Sequence, residues 1–155
     1  MKAVYPALMA TGCIIAITGC AGVGQSRAGL EQGAFLPCPD TPNCVSSLAG
    51  SGPSAILPLN YEGISREGAL NRLVCLLESE PRCRIAKVEH LETGSIYMHA
   101  EFRSALFRFV DDVEFLLPAG ESLIQVKSAS RLGYSDMGVN RKRVERLRAL
   151  FGSAI

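Results

Sequence analysis

The sequence predicts an α+β fold: a two-layer sandwich with two helices on one face of a curved antiparallel sheet of four to five strands. Three observations carry this expectation. Apolar residues recur at helical spacing in two stretches, one on either side of the middle of the chain. Between them, segments alternate apolar and polar residues with a period of two, each bounded by a turn. The clean strands each have one apolar and one polar face, as in a sheet covered by helices on a single side.

The elements follow in order. Ala21 to Gln32 is rich in Gly, Ala, Ser and Gln without periodicity and reads as a flexible tether. Leu36 to Cys44 is a stiff turn set by Pro37, Pro39 and Pro42, and Val45 to Pro53 reads as a loop. Ala55 to Tyr61 alternates weakly, as a first strand. Ser65 is a good N-cap for a helix that buries Ala69, Leu70, Leu73, Val74 and Leu77 and ends at Pro81. Arg82 to His90 reads as a strand of open register. Next, Ile96, Met98, Ala100 and Phe102 point one way and Tyr97, His99, Glu101 and Arg103 the other. After a turn at Ser104 to Leu106, Phe107, Phe109, Val113 and Phe115 share a face, with Arg108, Asp112 and Glu114 opposite. Beyond Pro118-Ala119-Gly120, Ile124 and Val126 lead inward to Ser128 and Ser130, while Gln125, Lys127 and Arg131 face out. Asn140 is expected to cap a last helix with a stripe of Val144, Leu147 and Leu150.

The start of the chain has a different character. Met1-Lys2 precedes an apolar run from Ala3 to Ile17, too short for a stable membrane-spanning helix. Ile17-Thr18-Gly19-Cys20 ends it with small residues before a cysteine, the pattern of a lipobox whose thiol accepts a diacylglycerol. Buried methylenes contribute roughly 0.8 kcal/mol each, so acyl chains on Cys20 would hold the protein at a membrane. Ala21, standing where an Asp would retain the protein at the inner membrane, resembles outer-membrane sorting. The expected organisation is a lipoprotein signal at 1–19, a tether at 20–35 and one domain at 36–155. The expected location is the cell envelope, lipid-anchored at the outer membrane and facing the periplasm.

Six cysteines are present. Cys13 would leave with the signal and Cys20 would carry lipid, leaving Cys38, Cys44, Cys75 and Cys83 in an oxidising compartment. Two local disulfides are expected, Cys38–Cys44 and Cys75–Cys83, because both loops are short and turn-rich. Neither spacing is that of a zinc knuckle, and His90 and His99 are the only histidines, so no metal and no other cofactor is expected. A net charge of +1, no Trp and a 6% aromatic share argue against a nucleic-acid partner.

Charge is distributed unevenly. Seven basic residues (Lys127, Arg131, Arg141, Lys142, Arg143, Arg146 and Arg148) stand against Asp136 and Glu145 in one late segment. Arg141, Lys142 and Arg143 open the last helix, where the macrodipole disfavours cations. Asp111 falls on the apolar face of its strand and needs a cationic partner, with Arg131, Arg141 and Arg143 the expected ones. On the other face Arg103, Arg108, Asp112 and Glu114 join Tyr97, His99, Glu101, Lys127 and Arg131 in a charged surface suited to a polar ligand. Gly133 to Gly138, which holds Tyr134 and Asp136, lacks the spacing of a nucleophile elbow and reads as a loop.

Several stretches are familiar together. Cys38-Pro39-Asp40-Thr41-Pro42-Asn43-Cys44-Val45-Ser46-Ser47, His99-Ala100-Glu101, Phe107 to Phe115, Ser128 to Asp136 and Gly138 to Arg143 resemble one family. It is the domain of unknown function numbered fourteen ninety-nine, and the likeness runs from about Leu36 to Leu150. The resemblance implies domain limits and signature positions but no reaction. Cys75 and Cys83 look like an addition to the family's pattern, which supports their pairing with each other.

The expected function is a membrane-anchored envelope lipoprotein that binds an anionic or polar ligand, or an envelope protein, without catalysis. The binding surface would be the charged sheet face with the Arg131–Arg143 segment, Asn140 included. One alternative is an enzyme with a polar cleft around Asp111, Arg131, Tyr134 and Asp136, and another is a structural envelope protein. The anchor is directly testable: a Cys20→Ala chain in a host with a lipoprotein pathway should lose its lipid mass and leave the membrane fraction. A mutant that stays membrane-bound and uncut would show that the leader works in another way.

Overall fold

The computed structural model describes residues 24–153, so the expected signal, with Cys13 and Cys20, lies outside the described residues. Ten elements follow one another: β1 (Leu30–Glu31), β2 (Ala34–Phe35), β3 (Cys44–Ser46), β4 (Leu59–Asn60), α1 (Arg66–Ser79), β5 (Cys83–His90), β6 (Ile96–Arg103), β7 (Val110–Leu117), β8 (Leu123–Ser130) and α2 (Val139–Ser153). The main sheet runs β3-β8-β7-β6-β5, with β4 paired to the start of β8 and every ladder antiparallel. It is an α+β sandwich, with six strands rather than four to five.

Both helices bury one face on one side of this sheet. In α1, Ser65 accepts a hydrogen bond from the Gly68 amide and fixes the start, while Ala69, Leu73 and Leu77 repeat every four residues into the core. Val144, Leu147 and Phe151 do the same from α2, in place of the expected Leu150, which is exposed. Beneath them lie Met98, Ala100, Val113, Phe115, Leu117, Ile124 and Val126. Burying each such side chain contributes about 1.5–3 kcal/mol.

Four segments differ from expectation. Cys44–Ser46, read as loop, is an edge strand paired with Lys127, Ser128 and Ala129 of β8. The strand expected over Ala55 to Tyr61 shrinks to Leu59–Asn60. Strand β7 begins only at Val110, so Phe107 and Phe109 leave the core face and stack on each other in an exposed loop, ring centroids 5.5 Å apart. The tether is structured from Gly24 onward: β1 and β2 form a hairpin whose two turn residues, Gln32 and Gly33, both have positive φ. Phe35 of that hairpin is buried with Tyr97 and Leu116 on the sheet face away from the helices.

Cys38 and Cys44 are disulfide-bonded, with Cα atoms 5.6 Å apart. Cys75 and Cys83 are free, against expectation. The reason is helical phase. Cys75 lies two residues from both Leu73 and Leu77, about 200° around the helix, so it faces solvent while Cys83 packs against the core. Burial, with Glu80 nearby, pushes the Cys83 thiol up to about 11. Cys75 should therefore react fast with an alkylating reagent under native conditions, and Cys83 only on unfolding. Reducing Cys38–Cys44 should cost about 2 kcal/mol in a denaturant titration, the chain-entropy value for so short a loop. A Cys75–Cys83 peptide in a non-reduced digest would contradict this arrangement.

Candidate functional site

The sheet face away from the helices carries a buried ionic array. Register places Glu101 of β6 directly opposite Asp112 of β7, two like charges at cross-strand distance. Arg131, just past β8, lies between them. Its Nη2 donates to Glu101 Oε1 at 2.7 Å and to Asp112 Oδ1 at 2.6 Å, and its Nε donates to Asp112 Oδ2 at 3.0 Å. Arg84 of β5 holds the other Glu101 oxygen at 2.9 Å, and His99 Nε2 meets Asp112 Oδ1 at 2.7 Å. An ionised carboxylate only accepts, so that ring nitrogen carries a hydrogen. Burial works to raise the Asp112 carboxyl, but the bonds from His99, Arg131 and Ser26 prevail and hold it well below the usual range. Glu101 is likewise lowered: burial opposes, and the two arginines outweigh it. Arg131 is raised, chiefly by its bond to Asp112.

One step along the strands is a second pair. Lys127 of β8 donates to Glu114 of β7 at 2.9 Å, with side chains only 4% and 1% exposed. Tyr97 donates its hydroxyl to the other Glu114 oxygen at 2.8 Å. Burial, then the Glu114 charge, keeps that phenol firmly protonated. The same oxygen accepts from the Gly29 amide at 2.7 Å, and Ser26 donates to Asp112 at 2.9 Å. The segment before the hairpin thus lies across the charged face as a strap. Beside it opens a cavity of about 490 Å³ lined by Arg27, Glu31, Thr41, Asn43, Asp112, Glu114, Lys127 and Arg131.

The remaining candidates lie elsewhere. Asp111 points to the helix side and accepts from Arg143 Nη2 at 2.6 Å, with that guanidinium 4.9 Å from the Phe102 ring centroid. Of the expected partners of Asp111, Arg143 alone reaches it, and Arg131 belongs to a second cluster on the opposite sheet face. Adjacent strand residues point opposite ways, so Arg131 meets Asp112 instead. Arg141 donates to the carbonyls of Pro53 and Ala55. Asn140 is not the cap: it is fully buried in the first turn, where its amide donates to Asn43 O and Ser130 Oγ and its carbonyl accepts from Ser128 and Arg143. Asp136 does the capping, accepting from the Gly138 and Asn140 amides. Arg103, Arg108 and Tyr134 are exposed and outside the array. The cleft of Asp111, Arg131, Tyr134 and Asp136 is not assembled.

The sequence profile of a protein family of unknown function (DUF1499) matches residues 35–151. The chain belongs to the DUF1499 family. No curated protein and no solved structure matches it. The matched region contains the whole ionic array of this DUF1499 domain, while Ser26, Arg27 and Gly29 of the strap precede it. Those strap residues and Arg84 escaped the sequence reading. Leu30 and Phe35 were the available signal, two apolar residues in a stretch too polar to bury anything else. Among the described residues no group of three or more His, Cys, Asp or Glu is placed to hold a metal, and no helix is long and apolar enough to cross a membrane.

Removing one partner of a buried ion pair costs about 3–5 kcal/mol, so Asp112→Asn and Asp111→Asn should each destabilise the domain by that order. Glu121→Gln, in an exposed turn, should change it by less than about 0.5 kcal/mol. The folded-state values of Asp112 and Glu101 lie below their unfolded ones. Their contribution is therefore complete above the unfolded carboxylate range and is lost as pH falls through the folded values. Denaturant titrations should show stability falling below about pH 4, with a shallower fall in Asp112→Asn. An acid profile identical in wild type and mutant would remove Asp112 from this account.

Proposed function

We propose that the protein is a lipid-anchored lipoprotein of the cell envelope whose domain binds a polar ligand on the strap-covered sheet face. The observation that carries the reading is the cavity beside the strap, which adjoins four ionised side chains already fixed by one another. Desolvating such an array is costly, and fixed charges at the edge of a cavity are pre-organised for recognition rather than for packing. The strap shows what chemistry the face accepts: a hydroxyl on Asp112 and a backbone amide on Glu114. A ligand rich in hydroxyl and amide donors, roughly drug-sized for a cavity of this volume, fits that surface. Cavity charges of both signs, Arg27, Lys127 and Arg131 against Glu31, Asp112 and Glu114, favour a neutral or zwitterionic molecule over a strongly charged one. Arg131 lines the cavity itself, whereas positions 134 to 143 support the site indirectly, through Asn140 and the disulfide loop.

Native mass spectrometry of the full chain taken from membranes tests this. The expected result is a non-covalent adduct that weakens about tenfold or more in Arg27→Ala and Glu31→Gln, exposed residues whose loss leaves the fold intact. An adduct untouched by both changes would place the ligand elsewhere. No adduct, together with no thermal shift from a panel of sugars and peptides, would leave a structural envelope protein as the better reading.

A further inference from the structure

One end of the molecule is apolar, basic-rimmed and placed next to the anchor. The β6–β7 loop and the β8–α2 loop emerge at the same end of the sheet, since Arg103 pairs with Val110 and the Arg131 amide bonds Val110 O. The first loop exposes Leu106 at 80% and Phe107 at 65%, beside Phe109. The second exposes Tyr134 at 73% and Met137 at 88%, beside Leu132. Large apolar side chains concentrated in two neighbouring loops are unusual on a soluble surface and mark an interaction site. Arg108 tops the first loop with φ +55°, a costly conformation for a residue with a Cβ. Next to it a depression joins Arg82, Arg103 and Lys142 with Ala105 and Val139. Among the described residues, Arg82, Arg103, Arg108 and Lys142 make no ion pair. Asp111, by contrast, is neutralised by Arg143, Glu80 by Arg146, and Asp136 is engaged by amides at the head of α2. Asp40 is the one exposed acid of the adjoining disulfide loop.

The path of the chain identifies the occupant. Gly24 lies against this end so closely that a Cβ there would sit 2.8 Å from both the Arg131 carbonyl and the Leu132 side chain. Cys20 precedes Gly24 by four residues. Four residues span at most about 14 Å, so acyl chains on Cys20 would hold this end within reach of the bilayer.

We propose that this end docks on the membrane that holds the anchor, with the Leu106-Phe107 and Tyr134–Met137 loop tips inserted at the headgroup level and Arg82, Arg103, Arg108 and Lys142 meeting anionic lipid. The docking rests on the lipidation of Cys20 for its geometry, but its surface chemistry stands apart from it. It fixes the orientation of the domain: the β5–β6 and β7–β8 turns face away from the membrane, and the strap cavity opens beside the bilayer.

The chain contains no Trp, so Phe107→Trp introduces a single reporter. Glu92→Trp, in the β5–β6 turn at the far end, is its control. Each full chain is reconstituted in phosphatidylethanolamine vesicles with and without phosphatidylglycerol. Expected is a blue-shifted indole in Phe107→Trp, quenched by brominated lipid, with the indole of Glu92→Trp unchanged. Partition should fall about fivefold for each of Arg103, Arg108 and Lys142 changed to Gln. A reporter in the β6–β7 loop that stays as water-exposed as the control in a vesicle-bound chain overturns the docking and leaves the anchor standing. A Cys20→Ala chain that binds vesicles as tightly as wild type overturns the anchor, while quenching of the loop reporter in that background still supports the docking surface. A shift of the loop reporter that requires added envelope protein, and never occurs with lipid alone, replaces the membrane with a protein partner.

Discussion

The antiparallel register of β6 and β7 sets Glu101 against Asp112, and the Arg131 guanidinium between them makes that register tolerable. Two facing carboxylates without a cation would repel at a separation where the protein interior screens poorly. A planar guanidinium satisfies both at once, which the single ammonium of a lysine does not do with the same geometry. Once Arg131 is fixed there, several features follow. The end of β8 is held to β7, Arg84 takes the Glu101 oxygen that Arg131 leaves free, and His99 and Ser26 share the two Asp112 oxygens with Arg131. An array this dry also needs a cover. The strap supplies it, adding the Ser26 hydroxyl and the Gly29 amide to the donors that the sheet already turns toward these carboxylates.

Asp111 and Asp112 do related work on opposite sides of one strand. Asp112 organises the charged face, and Asp111 receives Arg143 from the helix layer. The basic first turn of α2 is offset by Asp111 for Arg143 and by backbone carbonyls for Arg141. Asn140 joins this to the disulfide loop, since its amide reaches Asn43 O while Asn43 itself donates to Gly133 O. A fully buried Asn with its side-chain polar atoms paired specifies one arrangement of helix, edge strand and loop, because any shift leaves a polar atom unpaired at a cost of about 1–3 kcal/mol. The stretches around Cys38 to Ser47, Ser128 to Asp136 and Gly138 to Arg143, all within the matched region, therefore converge on one junction.

Where periodicity was strong the fold was legible. The alternation through Ile96 to Phe102 placed every side chain of β6 on its observed face, and the α1 stripe was right from Ala69 to Leu77. The errors have local physical causes. Phe107 and Phe109 share parity with Val113, so the alternation continues through them, but a positive φ at Arg108 breaks the strand that parity assumes. Asn140 looks like a cap because Asn favours caps, whereas Asp136 has the amides within reach and Asn140 has better partners inside. Edge strand β3 has three residues, too few for a pattern. Asp111 was identifiable as needing a cation, because an acid on an apolar face is a conflict visible in sequence. Its partner was narrowed to three arginines but not chosen, since the choice depends on which side of the sheet each one reaches.

The strap is held by interactions of two kinds, and their order along the chain has a consequence. Its beginning, Ser26 and Gly29, rests on carboxylates through two hydrogen bonds; its end, Phe35, is buried against Tyr97 and Leu116. Lifting the beginning returns Asp112 and Glu114 to water, which replaces the lost donors, so the net loss is about 1 kcal/mol per bond. Lifting Phe35 exposes an aromatic ring with nothing to replace its contacts, at about 2–3 kcal/mol. Opening therefore starts at the end nearest Cys20 and stops at the hairpin. The residues that yield first are the ones that cover Asp112 and Glu114 beside the cavity. The residues between Gly24 and Gly29 are thus the weakly held part of the strap, and Phe35 is its fixed point.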